Sequence, residues 1–268
     1  MFYHRNSIKI QKGKNMLKNL KKVFALLLGL IFFAGAAVPC FAANNGGAGM
    51  VWIRSPYKGH DDYYIPFPSL QLETKYFFIK ELKLGFYLYR DDAEEHELTL
   101  GITPGFTVFD PDKTDDFKLS FLDKRKMAAD VYLQYLRRFR YGTVGAKIYM
   151  DILGNADGFG ADVFYKLPIF INEFTITPGI GLSYLSGDRT DYYYGISRAE
   201  SIRSGLRYYH ADFSISPYVS LEASYLTENG WNIFANAQYT YLSDEITDSP
   251  MIQDEHGLML SIGAMVNF

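Results

Sequence analysis

The chain has 268 residues, of which 48% are hydrophobic and 17% aromatic, and this composition excludes an intrinsically disordered protein. A mean hydropathy of -0.09 also excludes a bundle of transmembrane helices, because only one long apolar run is present. Residues 1–43 hold seven of the 27 basic residues and no acidic ones. Residues 44–268 therefore contain 20 basic and 30 acidic residues. Their net charge of about -10 disfavours nucleic acid as a partner.

The N-terminal segment has the features of a secretory signal peptide. Three lysines between residues 18 and 22 precede the apolar run Val23–Val38, and small residues follow up to Ala43. We therefore expect residues 1–43 to be a cleaved leader and residues 44–268 to form the mature domain. Because Met16 would begin a leader of ordinary length, the first 15 residues are expected to be an extension. An uncleaved anchor is disfavoured, since the run is short and no positive flank follows it.

The only cysteine, Cys40, lies inside this leader. Pro39 precedes it where a lipoprotein signal would carry a small residue, so we do not expect lipidation. A mature domain without cysteine has neither disulfides nor thiolate metal ligands, and its stability must come from another source.

The first part of the mature domain predicts four strands with irregular boundaries. Pro66 and Pro68 place the start of the second strand near themselves, because proline is tolerated at strand starts and edges. The polar segment Tyr57–Tyr64 is a predicted loop. The predicted strands are Gly46–Pro56, Ile65–Thr74, Lys75–Glu81 and Leu82–Arg90.

From residue 97 onward, apolar and polar residues alternate with a period of two, which is typical of strands with one apolar and one polar face. The last segment shows this most clearly, since every even position from Leu258 to Phe268 is apolar. Eight strands are predicted here, which makes 12 in all: Glu97–Phe109, Ala129–Tyr135, Val144–Ile152, Phe159–Lys166, Phe174–Tyr184, Phe213–Tyr225, Trp231–Tyr241 and Gly257–Phe268.

Long and short connections alternate between these strands, with the longest at Asp110–Lys126, Ser186–His210 and Ser243–Glu255. One exception is Leu153–Asp157, which is short where a long connection is expected. Tight periplasmic turns and long external loops are typical of outer-membrane barrels. A soluble sandwich or barrel is disfavoured, because the polar faces consist mainly of Gly, Ser, Thr and Asn with few charges. The apolar strips also end in aromatic residues suited to the membrane interfaces, namely Phe174, Tyr184, Tyr225, Trp231, Tyr241 and Phe268.

The sequence therefore predicts an all-β protein, a transmembrane antiparallel up-and-down β-barrel of 12 strands in the cell outer membrane. Its expected surroundings are outer-membrane lipid and lipopolysaccharide. The terminal Phe268 is expected to end the signal by which the barrel-assembly machinery recognises the last strand.

No catalytic, cofactor or metal site is predicted. His210 with Asp212, and His256 with Asp254, are possible pairs, but random placement in acidic loops explains them equally well. The acidic stretches Asp110–Asp116 and Asp244–Asp248 could bind divalent cations, although solvated loop charge is the simpler explanation. Inward charges could line a pore or pair across the lumen and fill it; these are Asp130, Lys147, Asp151, Asp162, Lys166 and Glu222.

One long loop carries a pattern that resembles the hallmark loop of the MipA/OmpV family (MltA-interacting protein). Its residues are Tyr193, Tyr194, Gly195, Ile196 and Ser197, then Ala199 and Glu200, then Ser204, Gly205 and Leu206, with Tyr208. The loop after Tyr241 and the opening segment around Pro56 are also similar to that family, so the resemblance covers essentially the whole mature chain.

The resemblance implies an outer-membrane barrel without catalytic residues or cofactor. It also implies a scaffold between a murein-degrading transglycosylase and a bifunctional murein synthase, as described for the family's named member. Other members are linked to adhesion or solute uptake. A small-solute channel and a surface adhesin that acts through its long loops therefore remain alternative functions.

Overall fold

The computed structural model describes residues 43–267, so the predicted leader and the predicted assembly signal Phe268 lie outside the described residues. Thirteen antiparallel strands form one sheet. They are β1 (Ala43–Ile53), β2 (Tyr63–Glu73), β3 (Phe77–Lys80), β4 (Lys83–Arg90), β5 (His96–Gly105), β6 (Ala128–Phe139), β7 (Gly142–Asp151), β8 (Phe159–Lys166), β9 (Ile169–Ile171), β10 (Phe174–Leu185), β11 (Ser214–Leu226), β12 (Trp231–Tyr241) and β13 (His256–Asn267).

The sheet closes on itself, because β1 pairs with β2 on one side and with β13 on the other. Both β8 and β9 pair with β10, at successive positions along it, so they occupy one place in the ring. They are separated by Leu167 and Pro168, and proline has no N–H to continue the ladder. The ring therefore has 12 positions, and the predicted 12-stranded barrel is confirmed.

Strand boundaries differ from the predicted ones by a few residues. β1 begins at Ala43, three residues before the predicted start at Gly46, because Ala43 already pairs with Glu73 of β2. β5 ends at Gly105 rather than at Phe109, since the backbone of Phe109 pairs with that of Arg125 inside the following loop. The connection between the predicted strands Phe159–Lys166 and Phe174–Tyr184 contains the short strand β9.

Side chains alternate between the outer surface and the lumen as the pattern predicts. In β13, Ile262 is 60% exposed on the outer surface, whereas Met265 is buried inside. The lumen also contains apolar residues that the alternation did not predict. Phe234 stands among the polar lumen residues of β12 and packs with Val51, Phe67 and Met265.

Flat aromatic rings line much of the lumen wall, each lying over a glycine directly opposite on the neighbouring strand. A Cβ at any of these glycines would come within 2.2–2.9 Å of the aromatic side chain, so only glycine leaves room for it. The pairs are Gly49–Phe67, Gly85–Phe78, Gly101–Tyr132, Gly145–Phe164, Gly160–Tyr149, Gly181–Tyr218 and Gly263–Phe234.

Three short helices lie in the long loops at one end of the barrel: α1 (Gly187–Tyr194), α2 (Arg198–Ser204) and α3 (Asp244–Thr247). Within residues 43–267, no helix is long and apolar enough to cross a membrane. The sequence predicted these segments only as loops, because the helices are too short to show a periodic apolar face.

Candidate functional site: a lid over one barrel mouth

The long loops pack together around a buried hydrophobic cluster at their end of the barrel. Residues from the β1–β2, β5–β6, β7–β8, β10–β11 and β12–β13 loops contribute to it. We call this cluster and the loops that form it the lid. Its buried members are Tyr57, Phe109, Leu119, Leu122, Ala156, Tyr193, Tyr194, Ile196, Leu242, Ile246, Met251 and Ile252.

The residues that carry the family resemblance form the centre of the lid. Ile196 is fully buried, and its backbone pairs with that of Tyr209 through hydrogen bonds of 2.8 and 3.1 Å. Gly195 precedes it and ends α1, where it lies close to Asp191 of the last turn of that helix. A Cβ at Gly195 would lie 2.2 Å from Oδ1 of Asp191 and 2.5 Å from its carbonyl oxygen. The glycine is therefore required by space at the end of α1.

The remaining motif residues begin and end helix α2. Oγ of Ser197 accepts a hydrogen bond from the Glu200 N–H at 3.2 Å, and Oε2 of Glu200 accepts one from the Ser197 N–H at 2.9 Å. This reciprocal pair is a capping box, which satisfies free donors in the first turn. Gly205 ends the helix with a φ of +69°, a left-handed conformation that favours glycine. The carbonyl of Leu206 then accepts from the Ser201 hydroxyl at 2.7 Å.

Glu200 also forms the main electrostatic contact of the lid. Its Oε1 lies 2.9 Å from Nη2 of Arg125, and both side chains are almost fully buried. The same Arg125 nitrogen donates to the Gly195 carbonyl at 2.9 Å. Burial opposes ionisation of Glu200, but hydrogen bonds from the N–H groups of Asp123 and Ser197 and the charge of Arg125 outweigh it and lower the pKa of Glu200. The carboxylate therefore joins the β5–β6 and β10–β11 loops.

Further hydrogen bonds fix the lid to the barrel and its loops to one another. Arg189 of α1 donates to both carboxylate oxygens of Asp130 on β6, at 2.9 and 2.8 Å, in a buried bidentate pair. The Tyr57 hydroxyl donates to the Tyr193 carbonyl at 3.3 Å. The lid is thus attached to the lumen wall by a polar contact between two buried charges.

The two possible pairs, His210 with Asp212 and His256 with Asp254, do not form. Nδ1 of His210 lies 3.1 Å from Asp191, while the Asp212 N–H donates to Glu245. His256 lies beside the rings of two tyrosines, and Asp254 instead pairs with Arg54 at 3.3 Å.

The acidic loop segments are used in local contacts. Asp110 pairs with Lys124, and this hydrogen bond lowers the pKa of the Asp110 carboxyl. Oδ1 of Asp116 accepts from the N–H groups of Lys118 and Leu119, at 2.8 and 3.1 Å. Among residues 43–267, no group of three His, Cys, Asp or Glu side chains is arranged to hold a metal ion.

The inward charges of the barrel wall pair with neighbours. Lys147 lies 2.7 Å from Asp162 on the adjacent strand, and Lys166 contacts Glu222. Oδ2 of Asp151 accepts hydrogen bonds from two N–H groups of the β7–β8 loop. These contacts are with neighbours on the wall and in a loop, so they differ from the pairing across the lumen that the sequence left as one of two options.

Pairing does not fill the lumen completely. A cavity of about 560 Å³ lies inside the barrel, and a second of about 210 Å³ lies towards the lid. Phe106, Gln238 and Met259 line both. The only sequence signal for this apolar wall was the presence of large apolar residues, such as Phe234, within the polar alternation.

Comparisons with known proteins agree with this architecture. Residues 46–268 match the model of a family described as "MltA-interacting protein MipA". The chain is 34% identical over 250 residues to "MltA-interacting protein" of Escherichia coli (strain K12), covering 93% of this chain and all of that protein. It is 36% identical over 244 residues to "Putative outer membrane protein YiaT" of the same organism, covering 90% of this chain and 96% of that one.

A third relative extends the comparison to another genus. "Outer membrane protein OmpV" of Vibrio cholerae is 28% identical over 185 residues, covering 69% of this chain and 70% of that one. The closed barrel with an apolar outer surface is the structure that an outer-membrane location requires. The chain is an outer-membrane β-barrel and belongs to the MltA-interacting protein MipA family.

Proposed function

We propose that this barrel is a non-catalytic scaffold in cell-envelope maintenance, which joins a murein-degrading transglycosylase to a murein synthase at its periplasmic end. The name of the Escherichia coli relative, MltA-interacting protein, supports a transglycosylase as one partner. The similarity covers nearly the whole of both chains, so a shared binding surface is a reasonable expectation.

The closed lid is the observation that carries this proposal. A channel for water-soluble compounds needs an open path through the lumen, whereas the lid covers the mouth with a buried apolar cluster. Because long loops are external in such barrels, the lid faces the outside and the short turns face the periplasm. A protein closed towards the outside is better suited to binding partners inside.

The periplasmic rim offers charges of both signs for such a partner. The β4–β5 turn exposes the acidic stretch Asp92–Glu95, the neighbouring β6–β7 turn exposes Arg140, and Arg137 is exposed near the end of β6. Arg138 holds the two turns together, since its N–H donates to the Glu95 carbonyl at 2.7 Å. The two turns therefore form one surface of fixed charge pattern.

Capture of a lytic transglycosylase from native membranes tests the proposal. The double variant Arg137→Glu, Arg140→Glu should lower its recovery several-fold, because charge reversal at a rim changes association strongly. The matched control is Lys118→Glu, an exposed reversal in the β5–β6 loop of the lid, which should leave recovery unchanged. Failure of the unaltered protein to recover any murein enzyme would count against the scaffold.

An adhesin is the second candidate, because the outer surface of the lid exposes apolar side chains. Ile202 is 86% exposed and Phe117 is 77% exposed, and Phe117 packs edge-to-face on Phe121. Exposed apolar clusters often mark interaction sites. Replacing Phe117 and Ile202 by serine should weaken binding to host cells if the adhesin function is correct, and unchanged binding would remove that candidate.

The third candidate, a small-solute channel, is tested separately by planar-bilayer recording. Discrete conductance steps from the unaltered protein would contradict a closed lid and favour the channel. An electrically silent bilayer would agree with the scaffold.

A further inference from the structure

The barrel wall is interrupted above the short hairpin of β3 and β4. The β2–β3 ladder covers only Gln71–Glu73, and the last contact is the Glu81 N–H donating to the Leu70 carbonyl at 2.8 Å. On the other side of the hairpin, the β4–β5 ladder ends at Ile102, so the last residues of β5, towards the lid, have no partner on β4. Within residues 43–267, no ladder joins the upper part of β2 to that of β5. We call this interruption the window.

The window is closed above and opens at the depth of the membrane. Its upper border is formed where the Asp61 N–H donates to the Lys113 carbonyl at 3.2 Å. The register places Pro66 of β2 beside Met50 of β1, and Met50 beside Ile262 of β13. Because Ile262 lies on the exposed apolar outer surface, the window lies within the lipid-facing band.

Prolines stand at both edges of the window. In a strand, the backbone N–H and C=O groups of every second residue point to the same side. The Leu70 carbonyl points to the β3–β4 hairpin, on the side of the window. The backbone of Pro66 and Pro68, four and two residues before Leu70, therefore also faces the window. On the other edge, Pro104 is opposite Ala129, whose backbone bonds to β7 instead of β5. Pro104 therefore also faces the window. Strand edges with proline offer no N–H to a new strand, so the sequence itself keeps the window unpaired.

The cavity of about 560 Å³ lies behind the window, and its lining is mixed, with polar and charged side chains beside one apolar stretch of wall. Each border of the window contributes one apolar side chain to it: Phe67 from β2, Leu82 from the hairpin tip and Phe106 from the end of β5. Met259 and Met265 continue this wall on β13. An apolar surface inside a barrel is favourable when it is covered by apolar atoms instead of water.

Lys83 is a lysine of the same cavity that has no salt bridge among the described residues. Two neighbouring lysines are neutralised, Lys80 by Glu73 at 3.1 Å and Lys166 by Glu222. Lys83 lines the cavity together with Glu81 and Glu222, but it forms no salt bridge within 4.0 Å with a carboxylate of the described residues. A cation in a partly enclosed site of low dielectric gains more from an anionic partner than one on the surface does.

We propose that the window admits a single-chain carboxylate amphiphile from the outer leaflet into this cavity. The alkyl chain lies against Phe67, Leu82 and Met259, and the carboxylate pairs with Lys83. The lid covers the route from the outside medium, so the ligand that reaches the cavity is one that first dissolves in the membrane. A cavity of this size is in the range of small-ligand sites, roughly 300–1,000 Å³, and has room for one chain but not for the several chains of lipopolysaccharide.

Fluorescence titration with 11-(dansylamino)undecanoate tests the site, with the full barrel in lipid nanodiscs and empty nanodiscs as the blank. Lys83→Gln should raise the Kd for this probe by roughly tenfold, because a hydrogen bond to a charged partner is lost. The Kd for the neutral methyl ester of the probe should not change. The matched control Lys75→Gln, at the exposed β2–β3 turn, should bind like the unaltered protein. An unchanged Kd in Lys83→Gln would overturn the site.

Competition then identifies the class of ligand. Dodecanoate should displace the probe, whereas lipopolysaccharide and phosphatidylglycerol should not. Displacement by lipopolysaccharide as effective as that by dodecanoate would overturn the single-chain assignment.

The route of entry is tested by blocking the window. Pro68→Cys, labelled with pyrenyl maleimide in a Cys40→Ser background, should slow probe binding. Ala48→Cys is the matched control, because Ala48 is the cross-strand partner of Pro68 on the closed part of the wall. Loosening the lid by Arg125→Met should leave the binding rate unchanged. A rate that rises in Arg125→Met and is unaffected by labelled Pro68→Cys would place entry at the lid and overturn the window.

Discussion

Arg125→Met should open the lid without unfolding the barrel. Arg125 makes two charge-assisted contacts, one to Glu200 and one to the Gly195 carbonyl, both at 2.9 Å. Methionine keeps much of the length of the side chain and removes both contacts. Glu200 would then stay buried with the N–H groups of Asp123 and Ser197 as donors and only the more distant Arg203, at 3.9 Å, as a cation. The barrel strands pair independently of these loops, so their ladder should persist.

The size of the effect follows from burial. The side chains of Arg125 and Glu200 are 9% and 2% exposed, and removing one partner of a buried ion pair costs about 3–5 kcal/mol. At 1.36 kcal/mol per factor of ten, the open lid should become more populated by at least ~100-fold. Arg203 is the matched control, because it is a second arginine near Glu200, at 3.9 Å, but its side chain is 40% exposed. Arg203 forms its ion pair with Asp123. Arg203→Met should cost less than about 1 kcal/mol.

Hydrogen exchange read by mass spectrometry measures this opening. The reporters are the backbone N–H groups of Ile196 and Tyr209, each of which donates to the other residue's carbonyl within the β10–β11 loop. Their exchange should accelerate in Arg125→Met while the amides of the strands keep their protection, because local opening and global unfolding have separate free energies. Unchanged exchange in Arg125→Met, or an equal acceleration in Arg203→Met, would refute the role assigned to the buried pair.

Three further predictions concern the lid and assembly. Gly195→Ala should make the lid sensitive to protease in intact cells, since its Cβ would lie 2.2 Å from Oδ1 of Asp191; Gly257→Ala, where the nearest atom is 3.6 Å away, is the control. Because the pKa of Glu200 is lowered, its ionised carboxylate stabilises the closed lid at pH values above the ordinary glutamate pKa of 4.5, and this stabilisation is lost as the pH falls towards the lowered pKa. Hydrogen exchange of the lid should therefore rise on acidification, and it should rise less in Glu200→Gln. Deleting Phe268 should lower the amount of barrel in the outer membrane, whereas normal levels would contradict its predicted role in assembly.

The alternation of apolar and polar residues was enough to determine the barrel and the orientation of its strands. The period of two is local, so it survives in a single sequence, and it placed Ile262 outside and Met265 inside correctly. The alternation of long and short loops predicted which end carries the lid. The family resemblance also pointed to the correct loop, around Gly195 and Glu200, without indicating what that loop does.

Only the tertiary structure decided how the loops are used. Arg125 and Glu200 are 75 positions apart in sequence, as are other partners in the lid, and no local pattern predicts such contacts. The window likewise depends on how residues distant in sequence are brought together. Pro66 and Pro104 were visible in the sequence, but only the ladder register shows that both face one gap beside a hairpin too short to fill it. Local periodicity determines a strand, whereas the place where a wall is incomplete depends on which strands meet.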